Sequence, residues 1–198
     1  MKFFTADLHT NHTNIIKYCK RPFNSVQEMD ATLLKNINDV VMSDDELYHI
    51  GDFCFGDAAK YIDRINCNNI YFCLGSHDKS LWQAKNHPKI KKLADIIYIK
   101  DVTPQIVCNH CAQLVWDKSH HGSWHLFGHS HGNLGRGGAE FTGDKEISNA
   151  LKLIVSKFKM IDVGVDTNDY KPYSYDKIKS IMEKKQGFFI NRSIESVV

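Results

Sequence analysis

The chain has 198 residues, 42% hydrophobic and 24% charged, with 25 Lys and Arg against 23 Asp and Glu for a formal net charge of +2. This suits one globular domain over 1–198, burying roughly 70% of its unfolded surface. The balance excludes the broad basic face that long duplex nucleic acid needs. No run approaches the roughly 18 apolar residues of a membrane span. Asp7 interrupts the N-terminus too early for a signal-peptide core, so a cytoplasmic protein is expected, with no membrane partner.

In chain order, Lys2–Thr5 reads as a strand running directly into Asp7. Ser25 and Glu28 form a capping box for a helix with Met29, Leu33 and Ile37 on its apolar stripe. Glu46–Ile50 is a strand ending at Gly51-Asp52, 58–65 a helix, and 69–74 a strand ending at Gly75-Ser76-His77-Asp78. Strands are predicted over 96–100 and 105–109, the latter ending at His110, and over Trp124–Phe127, ending at Gly128-His129-Ser130-His131. A helix over 145–159, a strand over 160–165 and an amphipathic helix over 174–185 complete the alternation, which points to a layered α/β architecture.

Six cysteines are scattered, several within apolar runs, and read as buried thiols. Cys108 and Cys111 form a C-x-x-C with no second pair at zinc-ribbon spacing. Eleven histidines are less ordinary, because six lie between 110 and 131. Five strands each run into His, Asp or small residues, and ligands of layered α/β sheets bind beyond the carboxyl ends of strands. One rim is therefore expected to gather Asp7, His9, Asp52, His77, Asp78, His110, His129 and His131.

Asp7-x-His9 and His129-x-His131 are two-residue spacings that, in an extended segment, put both side chains on one side. Imidazole mixed with carboxylate suits Mn, Fe, Co, Ni or Zn. Asp7, His9, Asp52, His110, His129 and His131 are too many ligands for one four-coordinate ion, so two divalent ions roughly 3.5–4 Å apart fit better, with Asp52 as the bridge. Such a pair activates water near neutral pH and clamps the oxygens of a displacement at phosphorus.

These residues resemble the calcineurin-like metallophosphoesterases, whose pattern is D-x-H, G-D, G-N-H-[DE], H and G-H-x-H. The elements here are Asp7-Leu8-His9, Gly51-Asp52, Gly75-Ser76-His77-Asp78, His110 and Gly128-His129-Ser130-His131, in the family's order. His12-x-Asn14-Ile15-Ile16, Arg21-Pro22-Phe23, Tyr48-His49-Ile50 and Asp162-Val163-Gly164-Val165-Asp166 are similar to small bacterial and phage members, and the likeness runs from Met1 to about Lys185. The resemblance implies a four-layer α/β/β/α sandwich, two mixed sheets flanked by helices, with its site at the strand ends. It implies a first metal held by Asp7, His9, Asp52 and His131, and a second held by Asp52, His110 and His129, Mn being favoured over Fe, Zn, Co or Ni. His77 would serve the leaving oxygen, with Asp78 orienting its imidazole, and His12 and Arg21 would contact the substrate phosphate.

Ser76 departs from the pattern, standing where the family carries an Asn ligand, and predicts a weakened second metal site. The stretch 132–159, opened by Gly135-Arg136-Gly137-Gly138, is longer than the family's usual link and is either a cap over the site or a surface insertion. The resemblance implies hydrolysis of a small phosphodiester, such as a cyclic nucleotide or nucleoside cyclic phosphate. The alternatives are a phosphomonoesterase, a nuclease acting on short ends, or a binding module weakened by Ser76. His49 is read as packed, Asp166 as a structural hydrogen-bonding residue, and Trp116 and Trp124 as core residues or the walls of a nucleobase pocket.

Overall fold

The computed structural model describes residues 1–134 and 145–186. Gly135–Gly138, expected to open the 132–159 segment, lie outside the described residues. Nine strands and six α-helices are described: β1 (Lys2–Thr5), α1 (Thr13–Tyr18), α2 (Val26–Asn38), β2 (Glu46–Ile50), α3 (Ala58–Asp63), β3 (Asn69–Cys73), α4 (Lys79–Gln83), β4 (Ile90–Ala94), β5 (Ile96–Ile99), β6 (Ile106–Asn109), β7 (Trp124–Phe127), α5 (Lys145–Lys157), β8 (Met160–Asp162), β9 (Tyr173–Ser174) and α6 (Tyr175–Glu183). Half of the capping box holds: Ser25 Oγ accepts from the Glu28 N–H at 3.1 Å, opening α2, while Glu28 Oε2 accepts from the Asn24 N–H at 2.8 Å. Thr13–Tyr18, Lys79–Gln83, Ile90–Ala94 and Tyr173–Ser174 are elements beyond those expected, and no element of the described residues is a helix long and apolar enough to cross a membrane.

The strands form two mixed sheets. One has the order β4-β3-β2-β1-β9, parallel except for β9, and the other β5-β6-β7-β8, in which β5 alone runs antiparallel. Alternation along each strand sends its side chains to two different cores. Phe3, Leu47, Ile70 and Phe72 meet Met29, Leu33 and Ile37 of α2 and Ile62 of α3. Their neighbours Phe4, Tyr48, Ile50 and Cys73 face the opposite way, where they meet Ile106, Cys108, Trp124 and Leu126 of the second sheet. The outer face of the second sheet, with Val107, Phe127 and Met160, is covered by Trp116 and by Ile154, Val155 and Phe158 in and after α5. The order is thus helices, sheet, sheet, helix. The described C-terminal part of 132–159 forms the outermost of these layers.

Trp124 lies in the core between the sheets, and Trp116 is buried on the outer side of the second with Nε1 donating to the Ser123 carbonyl at 3.1 Å, so the two do not form a nucleobase pocket. None of the six cysteines is in a disulfide. Cys108 is buried between the sheets while Cys111 is exposed, so the C-x-x-C does not converge on one point.

Candidate metal centre

Parallel strands of both sheets end on one rim, and the loops that follow are laced together by backbone hydrogen bonds. The Asp7 and His9 N–H groups donate to the Gly51 and Asp52 carbonyls, each at 3.0 Å, and the Gly128 N–H donates to the His110 carbonyl at 3.0 Å. The two sheets join where the Ala6 N–H meets the Val163 carbonyl at 3.1 Å. The two-residue spacings expected to lie in extended segments lie in left-handed turns instead. Asp7, His9, Asp52, His129 and His131 have φ of 57°, 50°, 58°, 68° and 48°, all left-handed. The strands twist out of β geometry as they leave the sheet, and this turning aims the side chains. Such conformations are unfavourable for residues with a Cβ and cluster at functional sites.

Close approach of the loops depends on glycine. A Cβ on Gly51, itself at φ +85°, would lie 2.2 Å from His110 Nδ1, and one on Gly75 would lie 2.4 Å from Asp52 Oδ1.

The turns create two donor groups. Asp7, His9 and His131 offer atoms within 4.8 Å of one another, as do Asp52, His110 and His129. Asp52 joins the groups: its Oδ2 lies 3.5 Å from His9 Nε2 and 3.4 Å from His110 Nε2. A third group, Cys19, His131 and Asp166, has the same spacing. It is a poor cation site because the Arg21 guanidinium already donates to both Asp166 oxygens at 2.8 Å.

The first two groups fit divalent transition ions. Both ring nitrogens of His9 and Nε2 of His110 are buried without a hydrogen-bond partner, a costly state that a Lewis-acidic ion would relieve. His110 Nδ1 lies 2.9 Å from the Ile50 carbonyl and His131 Nδ1 2.7 Å from Asp166 Oδ2. Fixing one ring nitrogen leaves the other as ligand, as metal-binding histidines require.

The charges are tightly interdependent. Burial raises the Asp7 carboxyl to about 7, despite His131 and His110 nearby. Burial also pushes His9 down to about 3, against the pull of Asp52. At His110 and His131 burial is outweighed, by Asp52 and Asp7 in one and by Asp166 with Cys19 and Asp7 in the other, and they rise to about 9 and about 11. Asp52 is held below the usual carboxylate range, its burial offset by His110, the His77 N–H and His9.

Other expected residues fall differently. The Asp78 carboxylate does not orient His77. Its oxygens accept from the backbone N–H groups of Asp52 at 2.8 Å, Gly75 at 2.7 Å and Phe53 at 2.7 Å. Three backbone amides occupy most of the acceptor sites of this buried carboxylate, and its hydrogen bonds among the described residues go to backbone rather than to the His77 imidazole. Arg21 is not a phosphate contact either: it is buried, and beyond Asp166 it donates to the Leu8 carbonyl at 2.9 Å and the Asp7 carbonyl at 2.7 Å. His77 and Ser76 are exposed on the loop after β3, and the His77 N–H donates to Asp52 Oδ1 at 2.9 Å. His12 stacks on Phe55 with ring centres 4.1 Å apart, and Phe55 stands 4.9 Å from the His77 ring.

Three participants were not assigned to the site from sequence. Phe55 is the hydrophobic wall between His12 and His77. Asp162 holds the His129–Gly132 turn through Ser130 Oγ at 2.7 Å and the Gly132 N–H at 2.8 Å. Asp166 is the structural hydrogen-bonding residue expected, and its partner is His131 itself. The Asp162-Val163-Gly164-Val165-Asp166 run was the signal available for both.

No protein-family model matches the sequence. The fold resembles the crystal structure of a protein of unknown function, AQ665, from Aquifex aeolicus, with a TM-score of 0.65 and 22% identity over 91% of this chain and 98% of that one. A protein from Methanocaldococcus jannaschii, named only as uncharacterized protein MJ1445, is 30% identical over 187 residues, which cover 92% of this chain and 91% of the archaeal protein. With that identity over nearly all of both chains, the protein belongs to the MJ1445 family.

Proposed function

We propose that the protein is a metal-dependent phosphoesterase of the calcineurin-like type, acting on a small phosphodiester. The observation that carries this reading is Asp52 Oδ2, which stands about equally far from His9 Nε2 and His110 Nε2 between two three-residue donor groups. The helix–sheet–sheet–helix layering agrees with the sandwich of that family. Two divalent ions, Mn favoured, would supply Lewis acidity for activating water and for neutralising charge on the phosphoryl oxygens.

The chain's own residues have separate tasks. Asp7, His9 and His131 would hold one ion, His110 and His129 the other, and Asp52 both. His77 is exposed beside the site with its backbone anchored on Asp52, and it would give a proton to the departing oxygen. Phe55 lies against the rings of both His77 and His12, and His12 would meet the substrate on the same side. A net charge of +2 favours small esters over long nucleic acids.

The test is hydrolysis of bis(p-nitrophenyl) phosphate and p-nitrophenyl phosphate side by side with added Mn2+. Faster diester turnover, abolished by chelation, is expected. Faster monoester turnover overturns the diester assignment, and metal uptake without any hydrolysis favours the binding-module reading that Ser76 suggests.

A further inference from the structure

Arg21 and Asp166 are 145 residues apart in sequence and form a buried, two-pronged ion pair, Nε to Oδ1 and Nη2 to Oδ2, both at 2.8 Å. The pair sits directly behind the first donor group. Asp166 Oδ2 also meets His131 Nδ1 at 2.7 Å, while Arg21 reaches the carbonyls of Asp7 and Leu8. One guanidinium therefore ties the Asp7–His9 turn to the carboxylate that carries His131. Both turns are left-handed and would relax without such a tie.

We propose that Asp166 is a positioning residue for the first cation, holding His131 by Nδ1 so that Nε2 is the nitrogen left for the ion, while Arg21 fixes Asp166 against the Asp7–His9 turn. The proposal rests on the metal reading of the site. A guanidinium suits this place because its planar fork satisfies both carboxylate oxygens at once and stays charged when buried. The second group is built differently, since His110 Nδ1 meets a backbone carbonyl. Loss of Asp166 should therefore act on one ion and spare the other.

The experiment titrates Mn2+ into the metal-free full chain by calorimetry, using the unmodified protein, Asp166→Asn, His131→Ala and the double variant. Asp166→Asn is expected to weaken one of two binding events by roughly 10–100-fold, the usual effect of removing a partner behind a metal ligand, and to leave the other within twofold. In the His131→Ala background the same substitution should change affinity less than twofold, because Asp166 acts through His131. An equal loss in both backgrounds, or no loss in either, overturns the proposal. Should Asp166→Asn fail to fold, long-range 15N spectra of the zinc-loaded unmodified protein decide: His131 protonated on Nδ1 supports the proposal, and His131 bound through Nδ1 overturns it. If the unmodified protein takes up no divalent ion, the metal reading falls first.

Discussion

The Asp52 backbone N–H donates to Asp78 Oδ2 at 2.8 Å, so the carboxylate next to His77 in sequence serves the bridging aspartate instead. Asp78 is buried, and its other amide partners belong to Phe53 and Gly75, on either side of the place where β2 and β3 end. The arrangement fixes the left-handed turn at Asp52 and the loop that carries His77 with one side chain. Asp162 does the same for the His129–Gly132 turn.

Removing the Asp78 charge should therefore cost stability. Asp78→Asn presents an amide group to amides that need an acceptor. At roughly 1–3 kcal/mol per buried group left unsatisfied, a loss of about 2 kcal/mol or more is expected in urea unfolding of the metal-free protein. A variant of unchanged stability that loses only the acid-dependent part of turnover would return Asp78 to the role of orienting His77.

Gly51→Ala tests the close approach of the loops. The new Cβ would lie 2.2 Å from His110 Nδ1 and 2.9 Å from the Gly75 backbone, at a φ of +85°. Backbone strain and displacement of His110 together should destabilise the fold by about 3 kcal/mol. Metal uptake should fall from two ions to one in whatever folded protein remains. A variant with unaltered melting and two ions bound would show that the loops can part without consequence.

The rim was legible in sequence because the strands that carry the donor residues, β1, β2, β3, β6 and β7, are short, mostly apolar runs that lead into Gly, Asp or His. What escaped was non-local or masked by charge. β4, Ile-Lys-Lys-Leu-Ala, is an edge strand whose two exposed lysines hide the alternation. β9 is two residues long. The Asp78 and Arg21 roles depend on partners brought near only by the fold, with backbone carbonyls and amides that no side-chain pattern reveals. Spacing placed Asp7 and His9 on one side correctly but by the wrong geometry, since the sequence carries no sign that both residues turn left-handed.

Ser76→Asn restores the residue that the resemblance supplies as a ligand of the second ion. Ser76 is exposed on the loop after β3, so a larger side chain fits without repacking the core. Binding of the second Mn2+ should tighten by about tenfold, or about 1.4 kcal/mol, and diester turnover should rise with it. If calorimetry and turnover are both unmoved, Ser76 does not limit the second site.

A pH effect on stability follows from His125, which lies away from the ligands. Burial between Trp116 and Phe127 lowers its pKa from 6.5 to about 4. Burial outweighs the Val107 and Cys111 backbone groups, which favour the charged ring, and Nε2 accepts from the Gln113 N–H at 3.0 Å as a neutral imidazole does. Between pH 6.5 and about 4 the unfolded chain takes up a proton that the folded chain refuses, so stability falls as the pH falls. The slope from this group is about 1.4 kcal/mol per pH unit. Urea unfolding in EDTA should therefore show the wild type losing its advantage over His125→Gln between pH 6.5 and pH 4.5. A stability difference that stays constant over that range would mean that the folded ring accepts the proton, and that burial and the Gln113 N–H do not hold it neutral.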